Sequence, residues 1–154
     1  CCFFTGKCPA GLETVLLYED PYHLVVPADS PLAERDEVSV WDVAGREPFI
    51  PNNESFDPGC AIWDVYQAFE KVKRLDCQPQ ENQMTIAMVE QGLGVSIMND
   101  LITQKRVSDV VKLPLAPAAS IELGLALPAH ETPAVLRFRD CAVRALICEA
   151  FLTR

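Results

Sequence analysis

The sequence predicts an α/β fold, a mostly parallel sheet with helices on both faces, three αβα layers in all. Three observations carry this. Between residues 39 and 115, short apolar runs of strand length alternate with stretches of helical periodicity. The run VSIM (95–98) reads as a strand covered from both sides. The stretch TIAMVEQGLGVSIMNDLI (85–102) passes from helix to strand through Gly-Leu-Gly, which punctuates a helix end. A length of 154 residues fits one domain. Such a chain buries about 68–70% of its unfolded surface, enough for a real core.

The elements follow in chain order. LETVLLYE (12–19) and YHLVVP (22–27) are rich in Val, Leu and Tyr and predict two strands, split at Asp20-Pro21. Residues 28–37 form a polar, turn-rich connector. SVWDVAG (39–45) predicts one short helix: Ser39 caps it, Asp42 three residues on completes a capping box, and Gly45 ends it. PFIP (48–51) is a short buried strand and residues 52–59 a loop. A helix over 58–75 is signalled by Asp57 as N-cap, Pro58 in the first turn and an apolar stripe from Ile62 to Leu75. A strand near 77–82 follows. The next helix, MTIAMVEQ, closes at Gly92 with Leu93 folding back onto it, and VSIM comes after. Asn99 or Asp100 caps a helix in LITQKRV (101–107). VVKLPL (110–115) and SIELGLALP (120–128) are strands, and Thr132-Pro133 starts a long last helix that places Val135, Leu136, Phe138, Ala142, Val143, Leu146, Ile147 and Ala150 inside.

A net charge of −9 and a pI near 4.6 repel phosphate backbones, so the chain is not expected to bind nucleic acid by itself. The nearest basic group, Lys71, Lys73 and Arg74, is a solvated helix face. No apolar stretch approaches the roughly 20 residues that span a bilayer. The 7 cysteines lie at irregular spacings with no C-x-x-C pair, which argues against a zinc knuckle or a redox motif. Buried thiols in a reducing cytosol are the simpler reading, with Cys141 and Cys148 on one helix face and Cys1, Cys2 and Cys8 at an exposed end. The first residue is Cys1, not Met, and the expectation is a chain truncated at its N-terminus.

In a sheet of this kind, ligands sit beyond the carboxyl ends of the strands. There PFIP delivers Asn52 and Asn53, the strand near 77–82 delivers Asn82, Gln83 and Thr85, and VSIM delivers Met98 and Asn99. Turn and cap chemistry accounts for each asparagine singly; their convergence favours binding. Catalytic signals are missing. His23 falls in a strand and His130 in a loop, and both read as structural or surface residues. No nucleophile elbow, P-loop or dinucleotide fingerprint occurs. Adjacent Glu19 and Asp20 point to opposite faces of a strand, a poor acid/base pair. Glu81 is best explained at a helix N-terminus. Amides, hydroxyls and helix N-terminal N–H groups instead suit a carboxylate or other small polar molecule held without reaction. No cofactor, metal or enzymatic activity is expected.

LLYEDPYHLVVPADSPLA, VSVWDVAGREPFI, TIAMVEQGLGVSIMNDLI, and VVKLPL with IELGLALP, in this order over about residues 12–146, resemble the effector-binding domain of LysR-type transcriptional regulators. The most telling block is MVEQGLGVSIM. The resemblance implies a periplasmic-binding-protein type 2-like fold of two lobes. Residues 24–120 would be the second lobe, with 1–23 and 121–154 as crossing strands and remnants of the first. It implies a small-molecule effector in the inter-lobe cleft, contacted by Pro51, Asn52 and Asn53, by Gln83, Met84 and Thr85, and less firmly by Met98 and Asn99. It also implies a cytoplasmic protein that acts by population shift, its ligand altering how subunits pack. The family's winged helix-turn-helix and the first half of lobe one have no counterpart in these residues, so DNA would be met only through a domain absent here. Lobe-one remnants would then expose apolar surface, and a homo-oligomer, a dimer, is expected to cover it. Two alternatives share the architecture. A transporter's solute-binding protein should carry a secretion leader and few free thiols. An enzyme should show a charged or nucleophilic cluster.

Overall fold

A computed structural model describes residues 1–6, 10–43, 47–51, 63, 67, 75–77, 79, 81–103, 109–130 and 132–152, without the side chains of 40 and 146–152. The strands are β1 (Cys2–Thr5), β2 (Glu13–Pro27), β3 (Ser96–Asn99), β4 (Val110–Pro114) and β5 (Ser120–Leu127). The helices are α1 (Val40–Val43), α2 (Asn82–Glu90), α3 (Asp100–Thr103) and α4 (Pro133–Leu152). The chain divides into two units, residues 1–20 with 121–154, and residues 21–120.

The unit of residues 21–120 is built on the second half of β2. β2 pairs antiparallel with β3, Val25 opposite Ser96 and His23 opposite Met98. On its other side it pairs antiparallel with β4, Val25 opposite Lys112. Outside these ladders, Phe49 bridges Val95 and Val38 bridges Leu115, both in parallel. The order across is therefore Phe49, β3, β2, β4, Val38. This corrects the expectation of a mostly parallel sheet, since each ladder among the described residues is antiparallel. The four pieces around β2 do run the same way, as alternation with helices requires, because a crossover returns the chain to its starting edge. β2 comes before that alternation and slots into the middle in the opposite sense, a placement that periodicity does not encode.

Pro21 does not split β2. One strand runs from Glu13 to Pro27, and the ladders with β3 and β4 begin at Tyr22 and His23. The N–H that proline lacks falls just before those ladders start, so none of their bonds is lost. The expected strand near 77–82 is also corrected. Described residues there are not extended into a ladder, and Asn82 already belongs to α2. Pro79 removes a ladder donor among polar neighbours. PFIP contributes one bridge residue, Phe49, between two prolines, tied by Ile50 N–H to Val95 O at 2.8 Å and Val95 N–H to Pro48 O at 2.9 Å.

Local signals fare well. Ser39 N–H donates to Asp42 Oδ2 at 2.8 Å, one half of the expected capping box with Asp in place of Glu. The other half is absent, since the Asp42 N–H donates to the Ser39 backbone carbonyl at 3.1 Å and the Ser39 hydroxyl donates to Asp42 Oδ2 at 3.1 Å. α2 ends as expected at Gly92 (φ +70). Leu93 N–H reaches Met88 O at 3.1 Å and Gly92 N–H reaches Val89 O at 2.9 Å, the two bonds of a Schellman end. The Leu93 side chain stays exposed. Gly94 has a different reason: a Cβ there would strike the Pro48 carbonyl oxygen, so the Phe49 segment and β3 can approach only at glycine. Val25, Ile50, Ile86, Val89 and Met98 form the core beneath α2. Of the helix expected over 58–75, Trp63 and Gln67 take helical positions; Asp57, Pro58 and the remainder before Leu75 lie outside the described residues, as do Gly45 and 104–107.

In the other unit, β1 pairs antiparallel with β5, Phe3 opposite Leu125 and Phe4 opposite Gly124. β5 lies next to β2 in the strand order. Thr132 starts α4, its carbonyl accepting from Leu136 N–H at 3.0 Å. The rings of Phe3 and Phe138 meet edge to face at 5.9 Å. Of the apolar residues expected inside α4, Val135, Leu136, Ala142 and Val143 are only half covered and Phe138 is exposed; the side chains of Leu146, Ile147 and Ala150 lie outside the described ones. Cys141 is exposed too, against the expectation of a buried thiol. Cys1 and Cys2 are exposed, whereas Cys8 and Cys60 lie outside the described residues.

Candidate functional site

The strand ends and the start of α2 within residues 21–120 hold the predicted positions. α2 begins after Glu81, an extended N-cap residue (φ −139, ψ 146) whose carbonyl accepts from Met84 N–H at 3.0 Å and Thr85 N–H at 3.3 Å. Gln83 and Met84 are exposed on its first turn. Thr85 turns inward and is wholly buried. β3 ends at Asn99, half-buried and opposite Tyr22, and α3 starts immediately after it. Met98 is fully buried within the α2 core. Pro51 is buried after the Phe49 bridge, while Asn52 and Asn53 lie outside the described residues.

His23, which lay outside that set, and Asn82, which the strand-end reading included, carry unusual chemistry. His23 Nδ1 and Asn82 Oδ1, like Thr85 Oγ1, are shielded from solvent and meet no hydrogen-bond partner among the described residues. The polar groups nearby are differently placed: Ser96 Oγ donates to Ile50 O at 2.9 Å, and Lys112 donates to Asp100 in an ion pair. His23 had a visible signal. It stands two residues before Val25, a core position, and strand alternation puts both on one face. Among the described residues no group of three or more His, Cys, Asp or Glu side chains could hold a metal ion. No helix there is long and apolar enough to cross a membrane. Glu19 is exposed and Asp20 buried, the opposite facing that strand alternation requires.

A mixed α/β sheet that brings strand ends and a helix start to one edge is the layout of small-molecule-binding domains. Comparison with known proteins makes the class specific. The model of the LysR substrate binding domain matches residues 6–147, and the chain belongs to that family. It is 27% identical over 147 residues to an uncharacterized HTH-type transcriptional regulator, YnfL of Escherichia coli K12, covering 90% of this chain and 48% of that protein. The chain thus spans about half the length of that curated relative. Solved structures share the fold. The reduced OxyR regulatory domain from Pseudomonas aeruginosa has a TM-score of 0.66 at 16% identity, covering 94% of this chain and 70% of that one. The effector-binding domain of QuiR in complex with shikimate has a TM-score of 0.65 at 19% identity, covering 93% and 70%. The regulatory domain of CcmR from Synechocystis PCC6803, in complex with 2-PG, has 0.66 at 15%, covering 94% and 73%. The expected periplasmic-binding-protein type 2-like architecture is that of these domains. The transporter alternative gains no support from these matches, which are to a LysR domain and to regulators.

Proposed function

We propose that this chain is the effector-sensing part of a LysR-type transcription regulator and acts without catalysis, in the cytoplasm and as a homodimer. The family match over residues 6–147 carries this reading. Residues 24–120 would correspond to the family's second lobe, and 1–23 and 121–154 to crossing strands and remnants of the first. The ligand would be a small polar molecule contacted by Pro51, Asn52, Asn53, Gln83, Met84, Thr85, Met98 and Asn99. Complexes of QuiR with shikimate and CcmR with 2-PG support that class of ligand. The ligand would act through the difference in its affinity for two subunit arrangements, and DNA would be met through a separate domain. An apolar surface on the unit of residues 1–20 and 121–154 supports self-association.

The test uses the full-length protein. Selection from a random pool of duplexes should yield a preferred sequence, and its affinity should change when a small-molecule extract of the source cells is added. Failure to select any sequence would sink the proposal. At about 100 times its dissociation constant, the ligand should add about 2.7 kcal/mol to stability. Thr85→Ala should shrink that gain, and an unchanged gain would remove Thr85 from the site.

A further inference from the structure

The polar atoms beneath α2 define more than a place. We propose that His23 contacts the ligand together with Asn82 and Thr85, and that the ligand group met there is a hydroxyl. This rests on the effector-sensing reading.

The placement follows from register. β2 alternates, so Tyr22, Leu24 and Val26 share one face, and His23 and Val25 share the other. His23 stands opposite Met98, and directly opposed residues project to the same side. Val25 and Met98 pack with Ile86 and Val89 of α2, so His23 belongs to the face that α2 covers. α2 turns at Gly92 into β3 and packs back along it. Its Val89 end lies toward Ser96, and its Asn82 end toward Met98. Asn82, Thr85, Ile86 and Val89 follow helical steps of three and four, which make one stripe. Asn82 and Thr85 are therefore at the His23 end of that stripe.

At this end the three side-chain atoms, His23 Nδ1, Asn82 Oδ1 and Thr85 Oγ1, are buried without partners among the described residues. Native folds seldom leave such atoms unmet, and three at one end of one face call for a molecule between them. Their chemistry selects it. The Asn82 carbonyl oxygen only accepts, a neutral imidazole nitrogen accepts or donates, and the Thr85 hydroxyl does both. A bare carboxylate could accept from Thr85 but has no proton to offer the Asn82 oxygen. A hydroxyl gives a proton to one partner and takes one from another. Lys112, opposite Val25 and so on this same face, is held by Asp100.

The experiment is calorimetric titration of the full-length protein with shikimate, quinate, gluconate and glycerate, against acetate, succinate and benzoate, which lack hydroxyls. At least one hydroxylated compound should bind and the plain acids should not. His23→Leu should weaken that binding about tenfold, as loss of one well-placed hydrogen bond implies. His23→Gln, which keeps a polar atom, should recover part of it, with circular dichroism confirming that both variants fold. Undiminished affinity in His23→Leu would overturn the proposal. So would binding of a plain acid alone, an outcome that leaves the sensing reading standing. A panel in which nothing binds also overturns it, and the DNA selection then decides the sensing reading separately.

Discussion

The two units differ in how they cover their apolar residues. Within residues 21–120, Leu24, Val25, Val26, Phe49, Ile97 and Met98 are fully buried, while Trp41 and Met84 lie exposed at 76% and 55%. Strands there have described neighbours on both sides of β2, and α2 closes one face. Within residues 1–20 and 121–154, β5 buries Leu125, but Phe3 is 56% exposed, Leu16 54% and Phe138 43%. Composition does not explain this, since both units are rich in large apolar residues. The lesson concerns closure. A core forms where successive elements return to cover one another: both units leave large apolar side chains in water, but residues 21–120 enclose the larger share of the buried ones.

Substitutions should separate the units. Ile86→Ala, in the core under α2, should cost about 2–5 kcal/mol in urea denaturation, as buried Ile-to-Ala changes do. A cost near zero would mean that α2 does not seal that core. Gly94→Ala should cost about 1–3 kcal/mol, because the new methyl must displace Pro48 backbone rather than a flexible side chain. In the open unit the effects should be smaller. Phe138→Ala removes an edge-to-face ring pair and should cost about 1 kcal/mol. Leu16→Glu should change stability by less than about 0.5 kcal/mol. It should also lower the apparent mass in sedimentation if that face joins two copies, and an unchanged mass would exclude Leu16 from the contact. The smallest effect is a pH dependence at α1. The backbone N–H of Ser39, then Arg35, hold the Asp42 carboxylate below its ordinary pKa of 3.8. Its contribution to stability is present above that value and is lost as pH falls through the lowered folded one. Asp42→Asn should flatten the acid limb of the stability profile and leave neutral pH nearly unaltered.

How far the sequence could be read depended on the range of the interaction. The Ser39–Asp42 cap and the Gly92 end of α2 are bonds between residues three to five apart, and both were legible. Gly94 was legible as punctuation, but its close approach to Pro48 was not, since that contact joins residues far apart in the chain. Pro21 looked like a break because a lone proline usually is one; its harmlessness depends on where the ladders begin. The edge of the candidate site was readable from GLG and the run after it. His23 reads from the sequence as a structural or surface residue, although its two-residue step to Val25 points inward. Only the register with Met98 brings it beside α2.

By itself, then, the sequence determined the local alphabet: helix caps, the glycine turn, the apolar runs, an acidic surface and the family's order of blocks. These depend on neighbours within a turn or two, where dihedral preference and side-chain reach are enough. The tertiary structure decided the antiparallel insertion of β2, the exposure of Phe3 and Phe138, and the placement of His23 on the face that α2 covers. Those depend on which distant segments pair, and pairing minimises the free energy of the whole sheet, which no single stretch of chain encodes.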